Sequence, residues 1–345
     1  MKVLILGVNG FIGSHLTDRI LSETTWEIRG MDLAKNKVTE HFDNPRFSFL
    51  HGDISTSSEW IEYQVHDCNV VLPLVAIATP KVYVTDPLKV FGLDFEENLK
   101  VVKYCVKHHK RILFPSTSEV YGMCNDEEFD EETSQFVTGP VPMTRWIYST
   151  SKQLLDRVIW SYGQQRGLKF TLFRPFNWVG PRLDSLKAAK EGSSRLATQF
   201  AWNLLSGKPL NLVDGGNALR CYCDIDDAID GLMSILRNEG GKADGKIFNI
   251  GNPQNCLSVR EIAELMIGIW DVHPFRLERG LPQGSVVDVV SGEYYGSGYQ
   301  DVARRVPSIK RMQEVFGFQP KTGITESLKK MLDSVIDEFM SLEKM

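Results

Sequence analysis

Short apolar runs alternate with amphipathic segments along the first half of the chain. The apolar runs predict six strands, which are MKVLIL, WEIRGMD, FSFLHGDI, CNVVLPLVAI, RILFPS and KFTLFRPFNWVG. Between them, segments such as FIGSHLTDRILSE and NLKVVKYCVKHH have helical spacing. Regular strand–helix alternation predicts βαβ units and a parallel sheet, and right-handed crossovers place helices on both of its faces. The fold class is therefore α/β, with a doubly wound parallel sheet.

The alternation loosens in the second half of the chain. Residues 181–220 are rich in Gly, Arg and Lys, and residues 275–308 show only weak periodicity. The strand-like run KIFNIGN could rejoin the sheet. We predict a first domain of residues 1–180 with a returning segment of about 221–252, and a smaller α/β substrate-binding lobe made of residues 181–220 and 253–345.

Composition limits the class of partner. The 345 residues are 42% hydrophobic and 24% charged, which is typical of a soluble globular protein. The net charge of −5 and the absence of a long basic run argue against nucleic acid or an anionic membrane. No apolar run approaches the roughly 20 residues that span a bilayer, and VLILG is too short for a signal-peptide core. An anionic substrate would need a locally basic pocket.

The cysteines and histidines show no ligand spacing. No CxxC pair occurs among the six cysteines, and the seven histidines do not cluster. Only Cys221 and Cys223 are close, and they alternate within a strand-like segment. The sequence therefore predicts a reduced, cytoplasmic protein without a structural metal.

The motif GVNGFIG follows the first predicted strand and places Gly7, Gly10 and Gly13 before the first helix. Glycines allow the backbone to approach a pyrophosphate, which the helix N-terminus then binds. Such a pattern alone also fits a tight turn without ligand. Asp32, nineteen residues beyond Gly13, ends the next strand and can accept hydrogen bonds from ribose hydroxyls. Because its charge repels a 2′-phosphate, the predicted cofactor of this Rossmann-type domain is NAD.

Four further residues complete the predicted cofactor site. Phe11 and Ile12 lie within the glycine motif itself. Asp53 and Ile54 lie at the end of the third predicted strand and could hold the adenine, although a simple strand-end turn is the alternative.

The motif YSTSK places Tyr148 and Lys152 four residues apart at a helix start, and hence on one face. An adjacent ammonium group favours the phenolate, so Lys152 is expected to lower the pKa of Tyr148. The phenolate can then take a proton from a substrate hydroxyl while hydride leaves the same carbon. The pattern becomes specific only behind a dinucleotide fold and after a strand that leads into Thr117.

The motifs GVNGFIG, STSEVYG, YSTSK and RPFNWVGPR together resemble the extended short-chain dehydrogenase/reductase family of nucleotide-sugar enzymes. The resemblance covers essentially the whole chain. It implies that Thr117, Tyr148 and Lys152 form a hydride-transfer triad. Asn98 matches a recurrent helix position of the family but equally fits a surface asparagine.

The pair after Thr117 distinguishes branches of this family. Sugar 4,6-dehydratases have Asp-Glu there, an acid that expels the C6 hydroxyl and a base for the C5 proton, whereas this chain has Ser118 and Glu119. Without the acid, a substrate with a C6 carboxylate becomes the better candidate. Oxidation at C4 makes that carboxylate β to a ketone, so that it can leave as carbon dioxide.

Segments such as LVAIATPKVYVTDPLKVFGLDFEEN, DGGNALRCYCDI and SGYQDVARRVPSI are similar to the decarboxylating UDP-glucuronic acid dehydrogenase domains of bifunctional polymyxin-resistance enzymes. That group makes UDP-4-keto-pentose on the way to 4-amino-4-deoxy-L-arabinose for lipid A. Because the sequence starts at the first predicted strand of the Rossmann-type domain, we expect it to lack the formyltransferase domain of those enzymes. The resemblance implies that Glu119 is a general acid/base and that Arg305 is the proton donor or a carboxylate ligand, with Arg304 as the competing choice. Because arginine is a poor acid at neutral pH, we expect Arg305 to bind and orient the carboxylate and enolate.

The same resemblance implies a set of substrate contacts. Arg195 and Arg220 fit a diphosphate pocket, since arginine binds phosphate in bidentate fashion, and a solvated surface is the alternative for each. The family has a lysine at the position of Asn211, which weakens that contact. For Phe176 and Trp178 a core position is favoured over base stacking. The remaining matching positions are Ala78, Tyr83, Thr117, Ser118, Arg145, Asn177, Tyr299 and the segment 211–220.

The predicted function is NAD-dependent oxidative decarboxylation of UDP-glucuronic acid to UDP-4-keto-pentose, CO₂ and NADH. One alternative is UDP-xylose synthase, which reuses its NADH; others are a different nucleotide-sugar epimerase or dehydratase and an NAD-binding scaffold without catalysis. Relatives commonly dimerise through two helices. The apolar positions in NLKVVKYCV and LLDRVIW fit such a homodimer, or a higher oligomer, and also fit an intramolecular core.

Overall fold

The computed structural model describes residues 1–343. Its strands are β1 (Lys2–Leu6), β2 (Glu27–Asp32), β3 (Phe47–His51), β4 (Val70–Pro73), β5 (Arg111–Pro115), β6 (Phe170–Pro175), β7 (Trp178–Val179), β8 (Leu210–Val213), β9 (Leu219–Cys221), β10 (Cys223–Asp224), β11 (Lys246–Ile250), β12 (Cys256–Ser258), β13 (Val286–Val289) and β14 (Arg304–Arg305).

The helices are α1 (Phe11–Glu23), α2 (Ser58–Asp67), α3 (Pro80–Thr85), α4 (Pro87–Phe91), α5 (Asn98–Lys107), α6 (Trp146–Arg166), α7 (Leu186–Lys190), α8 (Leu196–Leu205), α9 (Ile225–Arg237), α10 (Val259–Asp271), α11 (Pro274–Arg279), α12 (Ser291–Tyr294), α13 (Lys310–Phe316) and α14 (Ile324–Glu343). A π-helical turn, Gly92–Glu97, joins α4 to α5.

Seven parallel strands form the central sheet, in the order β11-β6-β5-β4-β1-β2-β3. The strand order reverses at β1, which pairs with β2 on one side and with β4 on the other. In open α/β sheets, ligands bind outside the carboxyl ends of the strands at such a reversal. The predicted α/β fold class, Rossmann-type and doubly wound, is confirmed.

Strand β1 shows why the sheet is covered on both faces. Its side chains alternate, so Val3 and Ile5 join one apolar cluster while Leu4 and Leu6 join another on the opposite face. All four side chains are fully buried. A strand buried on both faces reads as a continuous apolar run, which is the pattern of parallel sheets.

Three predicted strands end at least two residues earlier than expected. The third was expected to end near Asp53, but β3 ends at His51. The fourth was expected to reach about Ala78, but β4 ends at Pro73 and an irregular segment follows. Proline lacks the backbone N–H that a continuing ladder requires. The sixth strand stops at Pro175, and Asn177 then adopts a left-handed backbone with φ of 39°. The chain resumes as the separate strand β7, which pairs with β10.

The second half of the chain covers the carboxyl end of the sheet. Strand β11 returns to pair with β6 at the sheet edge, whereas β12, β9 and β14 form a separate three-stranded sheet. In that small sheet Arg305 of β14 pairs with Arg220 of β9. The division into an N-terminal domain and a substrate lobe stays a prediction.

The prediction of reduced cysteines is wrong for one pair. Cys221 on β9 and Cys256 on β12 face each other across antiparallel strands and form a disulfide. The two residues are 35 positions apart, so local spacing could not indicate the pairing. Cys68, Cys105, Cys124 and Cys223 are buried free thiols.

Across residues 1–343, every helix is too short or too polar to cross a lipid bilayer.

Candidate active site

The glycine motif forms a tight turn between β1 and α1. Gly7 has a φ of +86°, and its amide donates to the Met31 carbonyl at 2.8 Å. A Cβ on Gly13 would lie 2.4 Å from the Gly7 oxygen and 2.8 Å from the Val8 Cα, so the turn requires glycine there. Gly10 precedes α1 and makes no side-chain cap, which leaves the first amides of the helix for a ligand. This cradle fits the pyrophosphate of NAD.

Asp32 lies beside this turn at the end of β2. Its Oδ2 accepts from the Asn9 amide at 2.9 Å and its Oδ1 from the Ala34 amide at 3.2 Å. Burial raises the pKa of this carboxyl, although these amides oppose the shift. Each carboxylate oxygen can accept a further hydrogen bond, which suits the ribose contact predicted for Asp32.

Other residues predicted for the cofactor have local structural roles. The side chains of Phe11 and Ile12 pack against the core, and Phe11 makes an edge contact with His15. Asp53 accepts hydrogen bonds from the amide and hydroxyl of Ser55. This agrees with a strand-end turn, the alternative left open for Asp53. Ile54 is buried in the cluster beneath it.

A cavity of about 640 Å³ opens at the carboxyl end of the sheet. Such a volume is typical of small-molecule sites. Ten of the residues predicted from sequence line it, namely Ala78, Tyr83, Glu119, Arg145, Asn177, Arg195, Asn211, Arg220, Tyr299 and Arg305. The lining also includes residues that the sequence did not indicate, among them Lys81, Lys190, Trp202, Tyr295 and Asp301. These come from loops and from the second half of the chain, where periodicity is weak.

Glu119 lies between two guanidinium groups in the cavity wall. Its Oε2 accepts from Arg145 and its Oε1 contacts Arg305, each at 2.5 Å. Thr117 fixes the backbone here, because its hydroxyl accepts from the Glu119 amide at 3.2 Å. Burial by itself raises the pKa of Glu119, but the charges of Arg145, Arg305 and Arg220 together lower it to about 2. Glu119 is therefore a carboxylate at neutral pH.

Arg220 extends this cationic wall from β9. Its guanidinium donates to the Asp301 carboxylate at 2.8 Å, and Tyr299 donates to the same oxygen at 3.2 Å. Burial and the nearby Arg305 lower the pKa of Arg220. The cavity wall thus contains the positive charges of three arginines from distant parts of the chain. The carboxylates of Glu119 and Asp301 partly neutralise these charges.

The neighbours Arg304 and Arg305 point to opposite sides of β14. Arg305 is buried and faces Glu119, whereas Arg304 is exposed and its Nε donates to the Glu127 carbonyl at 3.0 Å. Alternation along a strand explains the difference. Of the two candidates left open by the sequence, only Arg305 lines the cavity.

Thr117, Tyr148 and Lys152 lie together behind Tyr83. The rings of Tyr83 and Tyr148 stack with centroids 4.7 Å apart, and the Thr117 side chain hydrogen-bonds with the Tyr148 phenol. The Lys152 ammonium lies 6.0 Å from the centre of the Tyr148 ring and donates to the Pro115 carbonyl at 3.3 Å. Ser118 is buried beside them at the start of a 3₁₀ turn.

The pKa of Tyr148 is raised, which contradicts the expectation that Lys152 lowers it. Burial is the largest cause, the Asp94 carboxylate is the second, and the hydrogen bond with Thr117 acts in the opposite direction. Lys152 forms an ion pair with Asp94 at 3.4 Å, so its charge is compensated. No local pattern indicated this pair, because Asp94 lies 58 residues before Lys152.

Arg195 does not stand free in the cavity. Its guanidinium donates to Asp184 at 2.8 Å and lies 5.2 Å above the Phe11 ring, close to the glycine turn. Asn211 hydrogen-bonds with Tyr294. The side-chain amide of Asn177 donates to the Cys221 carbonyl at 3.1 Å. Each of these three side chains, Arg195, Asn211 and Asn177, thus has a partner within the protein, and their roles in substrate binding stay predictions.

Tyr121 and Asn98 have structural partners. The Tyr121 hydroxyl donates to Asn249 at 2.8 Å and accepts from Arg174 at 2.8 Å, away from the cavity. Asn98 is buried and its amide donates to the carbonyls of Val75 and Leu93. The surface alternative for Asn98 is therefore wrong.

The sequence matches the model of the NAD dependent epimerase/dehydratase family over residues 3–251, which is more than two thirds of the chain. Among solved structures, the PbgP3 protein from Burkholderia pseudomallei is 47% identical, with a TM-score of 0.87 and 98% of each chain covered.

Two more distant structures share the fold. UDP-glucuronic acid 4-epimerase from Bacillus cereus, solved with UDP-glucuronic acid and NAD, is 22% identical, with a TM-score of 0.77 and coverage of 98% of this chain and 99% of that one. The dTDP-glucose 4,6-dehydratase from Bacillus anthracis, solved with NAD, is 21% identical, with a TM-score of 0.78 and coverage of 98% and 97%.

Proposed function

Because this chain belongs to the NAD-dependent epimerase/dehydratase family, we propose that it catalyses oxidative decarboxylation of UDP-glucuronic acid. The products are UDP-4-keto-pentose, CO₂ and NADH. The family resemblance drawn from the sequence motifs is confirmed, and NAD is the cofactor of the family. The substrate and the decarboxylation are the proposal.

The observation that supports it best is the placement of Glu119 between Arg145 and Arg305 beside the hydride-transfer residues. A cavity wall with three arginines favours an anionic group on the sugar. Glu119 with a pKa of about 2 does not supply the proton that expulsion of a C6 hydroxyl requires, and Ser118 has no acidic proton to offer. Dehydration is therefore less well supported than loss of a carboxylate.

The chain's own residues support the first half of the reaction. NAD, when bound, supplies the hydride acceptor. The glycine turn with Gly7, Gly10 and Gly13 would hold its pyrophosphate, and Asp32 its ribose. Burial and the Asp94 carboxylate raise the pKa of Tyr148, so its phenolate would be favoured only when the positively charged nicotinamide is bound. Tyr148 would then take the proton of the C4 hydroxyl, and Thr117 would orient that hydroxyl through its own side chain. The C4–H bond breaks, and C4 becomes a ketone.

The second half needs no further oxidant. With the ketone at C4, the C5–C6 bond breaks, CO₂ leaves, and its electron pair delocalises onto the C4 oxygen as an enolate. Arg305 stabilises the carboxylate and the enolate by charge, since a guanidinium keeps its proton at neutral pH and is a poor acid. C5 then takes up a proton, which a water held by Arg305 and Glu119 can relay.

The wider setting belongs to the same proposal. The product, formed in the cytoplasm, would serve the synthesis of 4-amino-4-deoxy-L-arabinose for lipid A and hence polymyxin resistance.

A homodimer through α5 and α6 is supported by Leu154 and Trp160, which leave large apolar area exposed on α6. Light scattering of the purified chain measures the oligomeric state directly.

Incubation with UDP-glucuronic acid and NAD tests the activity, with absorbance at 340 nm and released CO₂ recorded together. We expect NADH and CO₂ to appear in equal amounts. CO₂ without accumulating NADH would identify a UDP-xylose synthase instead, and neither signal would overturn the decarboxylase proposal. UDP-glucose is the matched control, because it has no carboxylate to lose.

A further inference from the structure

Asp94 is a fully buried carboxylate with no part in the mechanism above. It lies in the π-helical turn between α4 and α5, and such turns often mark functional positions because they displace one side chain from the regular helical path. Its Oδ1 lies 3.4 Å from the Lys152 ammonium. Its Oδ2 accepts from the Ile77 amide at 3.0 Å.

We propose that Asp94 is a positioning residue that holds the Lys152 ammonium and cancels its charge at the face where the nicotinamide of NAD binds. The proposal rests on the proposed roles of Tyr148 and Lys152 beside the cofactor, but not on the identity of the sugar. By this proposal, Asp94 determines how strongly the site prefers oxidised over reduced cofactor.

The contacts of Lys152 support this assignment. Within residues 1–343 its ammonium has two polar partners, the Asp94 carboxylate and the Pro115 carbonyl. The rings of Phe114 and Tyr148 lie 5.0 and 6.0 Å away. An ammonium group in such an apolar setting needs a counter-charge, and breaking a buried pair leaves an uncompensated charge. Asp94 supplies that charge from a separate element.

Asp94 also contacts the backbone segment that follows β4 and borders the predicted cofactor site. The segment after β4 passes over the glycine turn, where a Cβ on Gly7 would lie 3.1 Å from the Leu74 carbonyl carbon. The Ile77 amide and the Val75 carbonyl of this segment bind Asp94 and Asn98, respectively. The same carboxylate therefore fixes Lys152 and the backbone that borders the cofactor.

The remaining charged groups around Tyr148 lie on other elements. Glu119 follows β5, Arg195 precedes α8, and the Tyr83 ring stacks on Tyr148 from α3. Glu119 forms ion pairs with Arg145 and Arg305, and Arg195 forms one with Asp184. The Asp94–Lys152 pair is thus the charge pair that a single substitution can unbalance without disturbing the arginine wall.

The experiment measures dissociation constants for NAD and NADH, because the oxidised nicotinamide has a positive charge that the reduced one lacks. Asp94→Asn leaves Lys152 uncompensated, so the ratio of the NAD constant to the NADH constant should rise about tenfold. Lys152→Met leaves Asp94 uncompensated and should lower the ratio by a similar factor. The double variant D94N/K152M removes both charges and should return within about twofold of the original protein.

Asn98→Ala is the matched control, since it loosens the same segment without changing charge. It should weaken both cofactors alike and leave the ratio unchanged. A ratio within twofold of the original protein in Asp94→Asn would overturn the proposal. If Asp94→Asn does not fold, the comparison of Lys152→Met with the double variant decides it, because the ratio must rise about tenfold between them. No sugar is present, so these outcomes are independent of the decarboxylase test.

Discussion

Arg305 and Glu119 form a 2.5 Å ion pair in the cavity wall, although 186 residues separate them in the chain. Arg304 lies next to Arg305 but is exposed on the other side of the strand. We expect Arg305→Lys to lower kcat for decarboxylation by about 100-fold, because lysine cannot reproduce the fork of donors that arginine offers. Arg304→Lys, the matched control, should stay within about twofold. A larger loss in Arg304→Lys would contradict the assignment.

Glu119 should make the stability of the protein depend on pH. Its pKa of about 2 lies below its ordinary value of 4.5, so its contribution is fully present above about pH 4.5 and is lost as pH falls through about 2. Glu119→Gln should lower the free energy of unfolding by about 3 kcal/mol at pH 7. In urea unfolding, this difference should shrink between pH 5 and pH 3. A constant difference over that range would rule out the carboxylate as its source.

Tyr148→Phe should reduce turnover by about 1,000-fold, since it removes the group that accepts the substrate proton. NAD affinity should change by no more than a few fold. Tyr121→Phe is the matched control, because Tyr121 hydrogen-bonds with Arg174 and Asn249 outside the cavity. Its turnover per folded molecule should remain within about threefold, while its melting temperature falls. Full turnover in Tyr148→Phe would exclude the triad.

Gly13→Ala should weaken NAD binding by at least about tenfold, because its methyl group would lie 2.4 Å from the Gly7 oxygen and distort the turn. Gly268→Ala provides the control. That helical position has no other atom within 4 Å of the added carbon, so affinity should be unchanged and stability should rise by up to about 1 kcal/mol. Equal NAD affinities for the two variants would argue against a cofactor role for the turn.

Alkylation of the denatured protein should distinguish the oxidation states of its cysteines. Four thiols are free in the structure, and Cys221 and Cys256 are joined. Mass spectrometry should therefore show four labels without reductant and six with it. Disulfides are rare in reducing compartments, so six labels without reductant would restore the prediction made from cysteine spacing.

Local spacing was sufficient for much of the framework. Helix α1 has the bounds that its apolar pattern predicted, and strand β5 ends one residue before its predicted end. The four-residue interval between Tyr148 and Lys152 likewise placed both on one face of α6. These features depend on the helix and strand periods, which a sequence shows directly.

The sequence by itself determined the doubly wound sheet, the glycine turn and the position of Tyr148 and Lys152 on one helix face, because each depends on neighbours within a few positions. Only the tertiary structure decided that Arg305 faces Glu119, that Asp94 compensates Lys152, and that Cys221 meets Cys256. These pairs join residues 35 to 186 positions apart. Their charges and pKa values depend on burial and on partners that arrive only when the chain has folded.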